Sequence, residues 1–244
     1  MWSVWSEAAE LYLGHTLVML QIRGREVLVM EHANLLAADQ LLGGVSQAMT
    51  QFGTRDSKLA LRLRVVLSGA LCPALTYVTP KQVTQWSERM EIARATAAIE
   101  MGTTPDQVVC EMDTGRRALA SAMRIQTLSA LQGWAAQHQF AIASIQPLWA
   151  IASQSRTASK SANQGLVVME PDATTVLADD GSSKLVARTQ AGLFSVAEGQ
   201  ANTRRILVGL GLRESALLKL SFGTKARTAM QDGPRVWPNH WYSP

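Results

Sequence analysis

Residues able to do chemistry are thinly spread along this sequence. The four histidines, His15, His32, His138 and His240, stand far apart, with no HxxxH or CxxC spacing. A metal ion would need distant segments to converge on it, so no metal is expected. Cys72 and Cys110 each lie in an apolar run. That favours buried free thiols over a disulfide or a nucleophile. Ser68-Gly69 and Ser195 lack the GxSxG context of a hydrolase elbow. There is no GxxxxGK[ST] loop and no strand-linked GxGxxG. Asp113-Thr114-Gly115 has the Asp-x-Gly form, the type of loop in which a carboxylate and bare backbone meet a phosphate. Strand-like runs flank it and Arg116-Arg117 follow it, so a hairpin turn is the better reading. No catalytic residue, no cofactor and no enzymatic activity are expected.

Composition narrows the class. The chain has 244 residues, 47% hydrophobic and 17% charged, with mean hydropathy +0.03. That supports a sizeable core. No run approaches the roughly 20 apolar residues that span a bilayer, and the N-terminus has no basic, then apolar, leader pattern. A cytoplasmic location is the expectation, with the inner face of the inner membrane and peripheral membrane association left open. Basic and acidic residues balance at 12 each up to Ala152, whereas 11 basic face 7 acidic from Ser153 onward. Arg204-Arg205 is the doublet in that half, with no interleaved aromatics. A nucleic-acid-binding module wants a denser patch and is the weakest reading. A basic face toward an acidic partner or an anionic surface fits as well.

Patterning supplies the elements. Leu11–Leu13 reads as a strand with a turn at Gly14. Leu17–Ile22 and Val27–Met30 read as a hairpin about Gly24. Asn34 or Asp39 caps a helix running to about Phe52. Leu59–Leu67 alternates as a half-buried strand, and Leu71–Val78 reads as another. Helices are expected at 81–100 and 126–139. Strands are expected at 108–112, 117–124 and 140–145, with a short helix after Pro147. Ser153–Gln164 is polar and Ser-rich and reads as a linker. Strands return at 165–170, 174–178 and 184–188, then a helix at 196–212 and a strand at 216–222. Trp86, Trp134 and Trp149 fall in helical patterns as core residues. Trp2, Trp5, Trp237 and Trp241 lie near the termini, where Trp serves either as a binding anchor or as a core cap.

Both halves open with a strand and a meandering hairpin followed by a helix. The fold class is therefore α/β: duplicated ribonuclease-H-like mixed sheets with flanking helices, the second half reduced. The expected division is a first unit at 1–152, a linker at 153–164, a smaller unit at 165–223, and an irregular aromatic and basic tail at 224–244.

The order of elements over residues 10–222 resembles the actin-like proteins of pilus and secretion platforms. These are the PilM-type cytoplasmic pilus protein and the cytoplasmic domain of the type II secretion L protein. Local echoes are Leu11-Tyr-Leu-Gly, Leu63-Arg-Val-Val-Leu-Ser-Gly with 71–78, IASIQP at 142–147, and Leu166-Val-Val-Met-Glu-Pro. Ile206-Leu-Val-Gly-Leu-Gly resembles a Gly-rich adenosine loop, although a helix ending near Gly209 or Gly211 explains it better. The resemblance implies an Asp-x-Gly phosphate loop after the first strand of each half. Here Tyr12 stands at the Asp position of the first loop, and the second reads Met169-Glu170-Pro171, where Pro171 has no N–H and cannot take the glycine's conformation. The expected function is a non-catalytic actin-like scaffold, a pseudo-ATPase working by protein–protein contact in a type IV pilus or type II secretion-like inner-membrane platform. Arg204, Arg205, Trp237 and Trp241 are its interaction candidates. The alternative is a nucleotide-binding actin-like ATPase using Gly14, Thr16, Asp113 and Asp172.

Overall fold

The computed structural model describes residues 8–22, 25–51, 61–113, 119–158, 165–179, 185–192, 196–210 and 217–222. Twelve strands and five α-helices lie within them. In chain order they are β1 (Ala8–Leu13), β2 (Leu17–Ile22), β3 (Arg25–Glu31), α1 (Ala38–Gln51), β4 (Leu61–Leu67), β5 (Ala74–Thr76) and α2 (Trp86–Glu100). Then come β6 (Val108–Met112), β7 (Leu119–Arg124), α3 (Ile125–Gln137), β8 (Phe140–Pro147), α4 (Leu148–Ala158), β9 (Gly165–Met169), β10 (Ala173–Asp179), β11 (Leu185–Ala191), α5 (Val196–Gly209) and β12 (Leu217–Ser221).

The strands form two mixed sheets, ordered β3-β2-β1-β4-β8 and β12-β9-β10-β11-β5-β7-β6. The duplication expected from the sequence is a duplication of pairing. Strand β1 lies between antiparallel β2 and parallel β4. Strand β9 likewise lies between antiparallel β10 and parallel β12.

Near-continuous apolar runs make sense because both faces of these strands are covered. In β1, Leu11 and Leu13 point to a core shared with α1 and α3, which contribute Leu41, Val45, Leu131 and Trp134. Tyr12, between them, points the other way. There it meets a second core built from Leu17, Met19 and Val66 of the first sheet and Leu166, Val168 and Leu177 of the second. Helix α4 is wedged into that layer through Leu148, Trp149 and Ala152. The outer face of the second sheet turns Val167 and Val176 onto Ile206 and Leu207 of α5. Ala93, Ala97 and Ala98 of α2 cover β5, β6 and β7.

Several boundaries move from the expectation. The helix α1 is capped by neither Asn34 nor Asp39: Leu41 N–H bonds the Ala37 carbonyl, and Gln40 Oε1 accepts the Ala37 N–H, half of a capping box. Strand β5 is only three residues long, because Leu71 and Cys72 first turn back onto the Ser68 carbonyl. Helix α2 begins at Trp86 rather than near Lys81, since Val83 N–H closes a turn on Pro80. Trp86 is half exposed, not core. It precedes the stretch that lies on the sheet. The expected linker is helical through Ala158, as α4 is anchored by its buried apolar residues. Residues 159–164, the turn at Gly24, and Trp2, Trp5, Trp237 and Trp241 lie outside the described residues. Within the span expected to be the first unit, β5, β6 and β7 pair with the second sheet, joined where β5 meets β11.

Candidate functional site

Three chain reversals meet where the two sheets face each other. The first is the β1–β2 turn, closed by Gly14 N–H to the Leu17 carbonyl at 2.9 Å. The second follows β4, where Ser68 N–H bonds the Leu13 carbonyl at 2.9 Å and so holds Ser68-Gly69 beside the first turn. The third is the β9–β10 turn, Glu170-Pro171-Asp172, closed by Glu170 N–H to the Ala173 carbonyl at 2.7 Å. Phe222, just past β12, steadies it by donating its N–H to the Met169 carbonyl at 2.8 Å.

The two acidic residues of the third turn reach into the first two. Asp172 Oδ2 accepts the His15 N–H, and it accepts the Ser68 hydroxyl at 3.0 Å. Glu170 Oε1 accepts the Tyr12 hydroxyl at 2.9 Å, and Oε2 accepts the Gly69 N–H at 2.9 Å. All four bonds run between sheets, across more than 100 residues of chain. Glu170, Asp172, Ser68 and Tyr12 are all buried. Tyr12 is further fixed by Phe222, with ring centroids 4.4 Å apart. The result is a clasp of two carboxyl groups on donors from the opposite sheet.

Burial sets the protonation of this clasp. It pushes the Glu170 carboxyl well above its usual range, and the Asp172 charge pushes it further, against the pull of the Gly69 and Tyr12 donors. Burial also raises Asp172, opposed by its His15 and Ser68 bonds. The Tyr12 phenol is held well above its ordinary value by burial and by both carboxylates, so it stays neutral. A raised carboxyl binds protons more tightly in the folded chain than in the unfolded one. Its contribution is full below the ordinary values of 3.8 and 4.5 and is lost as pH rises through the raised ones. Stability is therefore expected to fall from mildly acidic pH upward. Glu170→Gln, which keeps an acceptor oxygen but cannot ionise, is expected to flatten that fall. Urea midpoints across a pH series measure it, and an unchanged slope in the variant would speak against the clasp as the titrating unit.

The structure places the other sequence candidates as follows. Gly14 lies against Asp172: a Cβ there would sit 2.9 Å from Oδ2. The Thr16 carbonyl accepts the His32 N–H at 2.7 Å, and its hydroxyl is buried without a partner. Asp113 closes the β6–β7 hairpin by its N–H to the Leu119 carbonyl, on the edge strand, with three strands between it and β10. Arg204 and Arg205 are exposed on α5. Helix α5 closes with Leu210 N–H on the Ile206 and Leu207 carbonyls, so Ile206–Gly209 is helix rather than loop.

Both cysteines are free. Burial raises Cys72 to about 12 and Cys110 to about 11, which keeps both thiols protonated near neutral pH. His15 Nδ1 bonds the Leu36 carbonyl and His138 Nε2 the Ser46 hydroxyl, two local ties. Among the described residues no cluster of His, Cys, Asp or Glu could hold a metal ion, and no helix is long and apolar enough to cross a membrane. Two open clefts flank His15 and Arg124. One, of about 610 Å³, runs along α3 past Asp39 and Thr127. The other, of about 500 Å³, reaches Gly69, Thr76 and Arg188. Sequence reasoning missed Glu170, Ser68 and Gly69 as site residues. The visible trace was a Ser-Gly pair ending an apolar strand and an acidic pair bracketing a proline.

Solved structures identify the frame. A Bacteroides thetaiotaomicron protein of actin-like ATPase fold and unknown function superposes with a TM-score of 0.57, at 8% identity over 90% of this chain and 83% of that one. The fold is that of the actin-like ATPases. The cytoplasmic domain of EpsL, an inner membrane component of the type II secretion system of Vibrio cholerae, superposes on this actin-like chain at 0.50. Its identity is 12%, over 89% and 83% of the two chains. A PilM–PilN type IV pilus biogenesis complex is similar at 0.49 and 15% identity, over 85% and 66%. The resemblance in element order thus extends to the actin-like fold in three dimensions. No protein-family model and no curated protein matches the sequence.

Proposed function

We propose that this chain is a non-catalytic actin-like scaffold, acting by protein–protein contact in a pilus or type II secretion-like platform at the inner face of a membrane. One observation carries the non-catalytic part. The donors of the first two turns, His15 N–H and Gly69 N–H with the Ser68 and Tyr12 hydroxyls, are taken by Asp172 and Glu170. A phosphate brought to these turns would meet two buried acidic groups instead of free donors. Those two groups already hold the donors that a phosphate would need. In the β9–β10 turn, Pro171 offers no N–H.

The assembly part rests on the similarity to EpsL, whose own role is an inner membrane component of a secretion system. The interaction candidates are the exposed Arg204 and Arg205, together with Trp237 and Trp241 of the 224–244 tail. The division into units at 1–152 and 165–223 belongs to the same proposal, with the clasp as the joint between them. Titration with Mg²⁺ and ATP tests the reading: no saturable binding is expected.

A further inference from the structure

The elements β5, α2, β6 and β7 interrupt the chain between β4 and α3 and are built as a body of their own. Their two small cores lie around Leu75, Ala98 and Val108 and around Tyr77, Ala93 and Met112. Among the described residues, both draw only on positions 75–122. The chain enters this body at Ala74 and leaves it at Arg124. The two crossings lie side by side, because Ala74 pairs with Ser121. Contact with the neighbouring cores is narrower, through Ala74, Leu119 and Met123.

The join to the second sheet is slight. Strand β10 pairs with β11 along its whole length, from Ala173 to Asp179. Strand β5, three residues long, is in register with β11 at Leu75 and Arg188 alone. Threonine hydroxyls complete the seam. Thr76 Oγ1 accepts the Ala187 N–H at 2.6 Å and donates to the Ala187 carbonyl at 3.2 Å. Thr189 Oγ1 accepts the Ala74 N–H at 2.9 Å. The 500 Å³ cleft runs along this seam, with Leu75, Thr76, Ala187 and Thr189 in its wall. Local opening favours places where backbone bonds are few and within reach of water.

We propose that β5, α2, β6 and β7 form a hinged module that swings as one body on its two crossings and parts from the second sheet at the β5–β11 seam. The swing alters both clefts at once. Met101 and Arg124 belong to the module, and the Arg124 Nη2–H bond to the Met101 carbonyl, at 2.6 Å, braces them together. They share the walls of both clefts with His15 and Ala70, which lie outside the module. A ligand in either cleft touches both bodies and so favours the closed seam. The hinge is independent of whether the clasp excludes phosphate.

Amide hydrogen exchange on the full chain tests the hinge. Ala74 and Ala187 report on the seam. Glu111 and Ser121, two residues along from the Asp113–Leu119 bond, report on the inside of the module. Val176 and Leu177 report on β10, which is paired on both sides. The seam amides are expected to exchange at least about tenfold faster than the other four, since the swing leaves both bodies folded. Thr76→Val removes one tie with little change of shape. It is expected to speed Ala74 and Ala187 together, by about tenfold, and to leave Glu111 and Ser121 unchanged. Thr189→Val is expected to do the same from the other strand. Seam amides as slow as Val176 in the wild-type chain overturn the hinge, as does exchange of Glu111 and Ser121 as fast as the seam. Acceleration of Ala187 alone in Thr76→Val also overturns it, because independent bonds rather than one moving body would then account for the seam. The wild-type comparison decides the matter if either variant does not fold.

Discussion

Trp149→Ala is expected to cost about 3–5 kcal/mol of folding stability, the range for deleting a buried aromatic. Trp149 is 4% exposed and lies in the layer between the two sheets, with Leu148 and Ala152 of the same helix. Its indole Nε1–H also donates to the Cys72 carbonyl at 2.8 Å. That bond ties α4 to the turn that begins at Ser68. The alanine variant therefore loses packing and frees a buried carbonyl next to the clasp. Trp149→Phe separates the two effects, retaining most of the apolar contact while losing the donor. It is expected to cost about 1–3 kcal/mol. Chemical denaturation reads both variants, provided the m-value is unchanged. A loss below 1 kcal/mol for the alanine variant would mean that α4 is not part of the shared core.

The second large effect is at Gly69. An added Cβ would sit 2.6 Å from Thr175 Oγ1, 3.1 Å from Glu170 Oε2 and 3.2 Å from the Ala173 Cβ. All three belong to the opposite sheet; Thr175, the nearest, and Ala173 are short side chains, and the Glu170 carboxyl is held by its bonds to Tyr12 and Gly69. Gly69→Ala must push the turns apart, stretching the Gly69 N–H bond to Glu170. Overpacking of this kind costs about 1–3 kcal/mol. Gly133 is the internal control. It is in α3, with open space where a Cβ would go. Gly133→Ala is expected to stabilise the chain by up to about 1 kcal/mol, from helix propensity alone. Opposite signs at the two glycines would show that Gly69 is a close-approach position. A neutral Gly69→Ala would show that the sheets are not clasped there.

How far the sequence could be read depended on the range of the interactions. Element types were legible because they are local. Leu11, Tyr12 and Leu13 alternate, and the structure turns Tyr12 away from its two neighbours. The β2–β3 hairpin and the stop of α5 after Gly209 were visible in short-range signals. Boundaries failed where tertiary contact overrode composition. Ser153 looked like linker, yet α4 carries through it because Leu148, Trp149 and Ala152 are buried upstream. Trp86 looked like core, but α2 meets the sheet only further on, at Ala93, Ala97 and Ala98.

The site was legible as an absence only. Tyr12 and Pro171 departed from the phosphate loops that the resemblance implies. The clasp itself could not be read, because Tyr12 and Glu170 lie 158 residues apart and Ser68 and Asp172 lie 104 apart. No periodicity links such pairs. The joining of β5 to β11 has the same character, since nothing near Leu75 points to Arg188.

The central claim is that carboxyl groups of the chain itself occupy the place of phosphate in this actin-like frame. Calorimetric titration of the wild-type chain with ATP and with ADP, each in excess Mg²⁺, tests it most directly. The clasp predicts no saturable heat with either nucleotide. Micromolar binding of either one would contradict it.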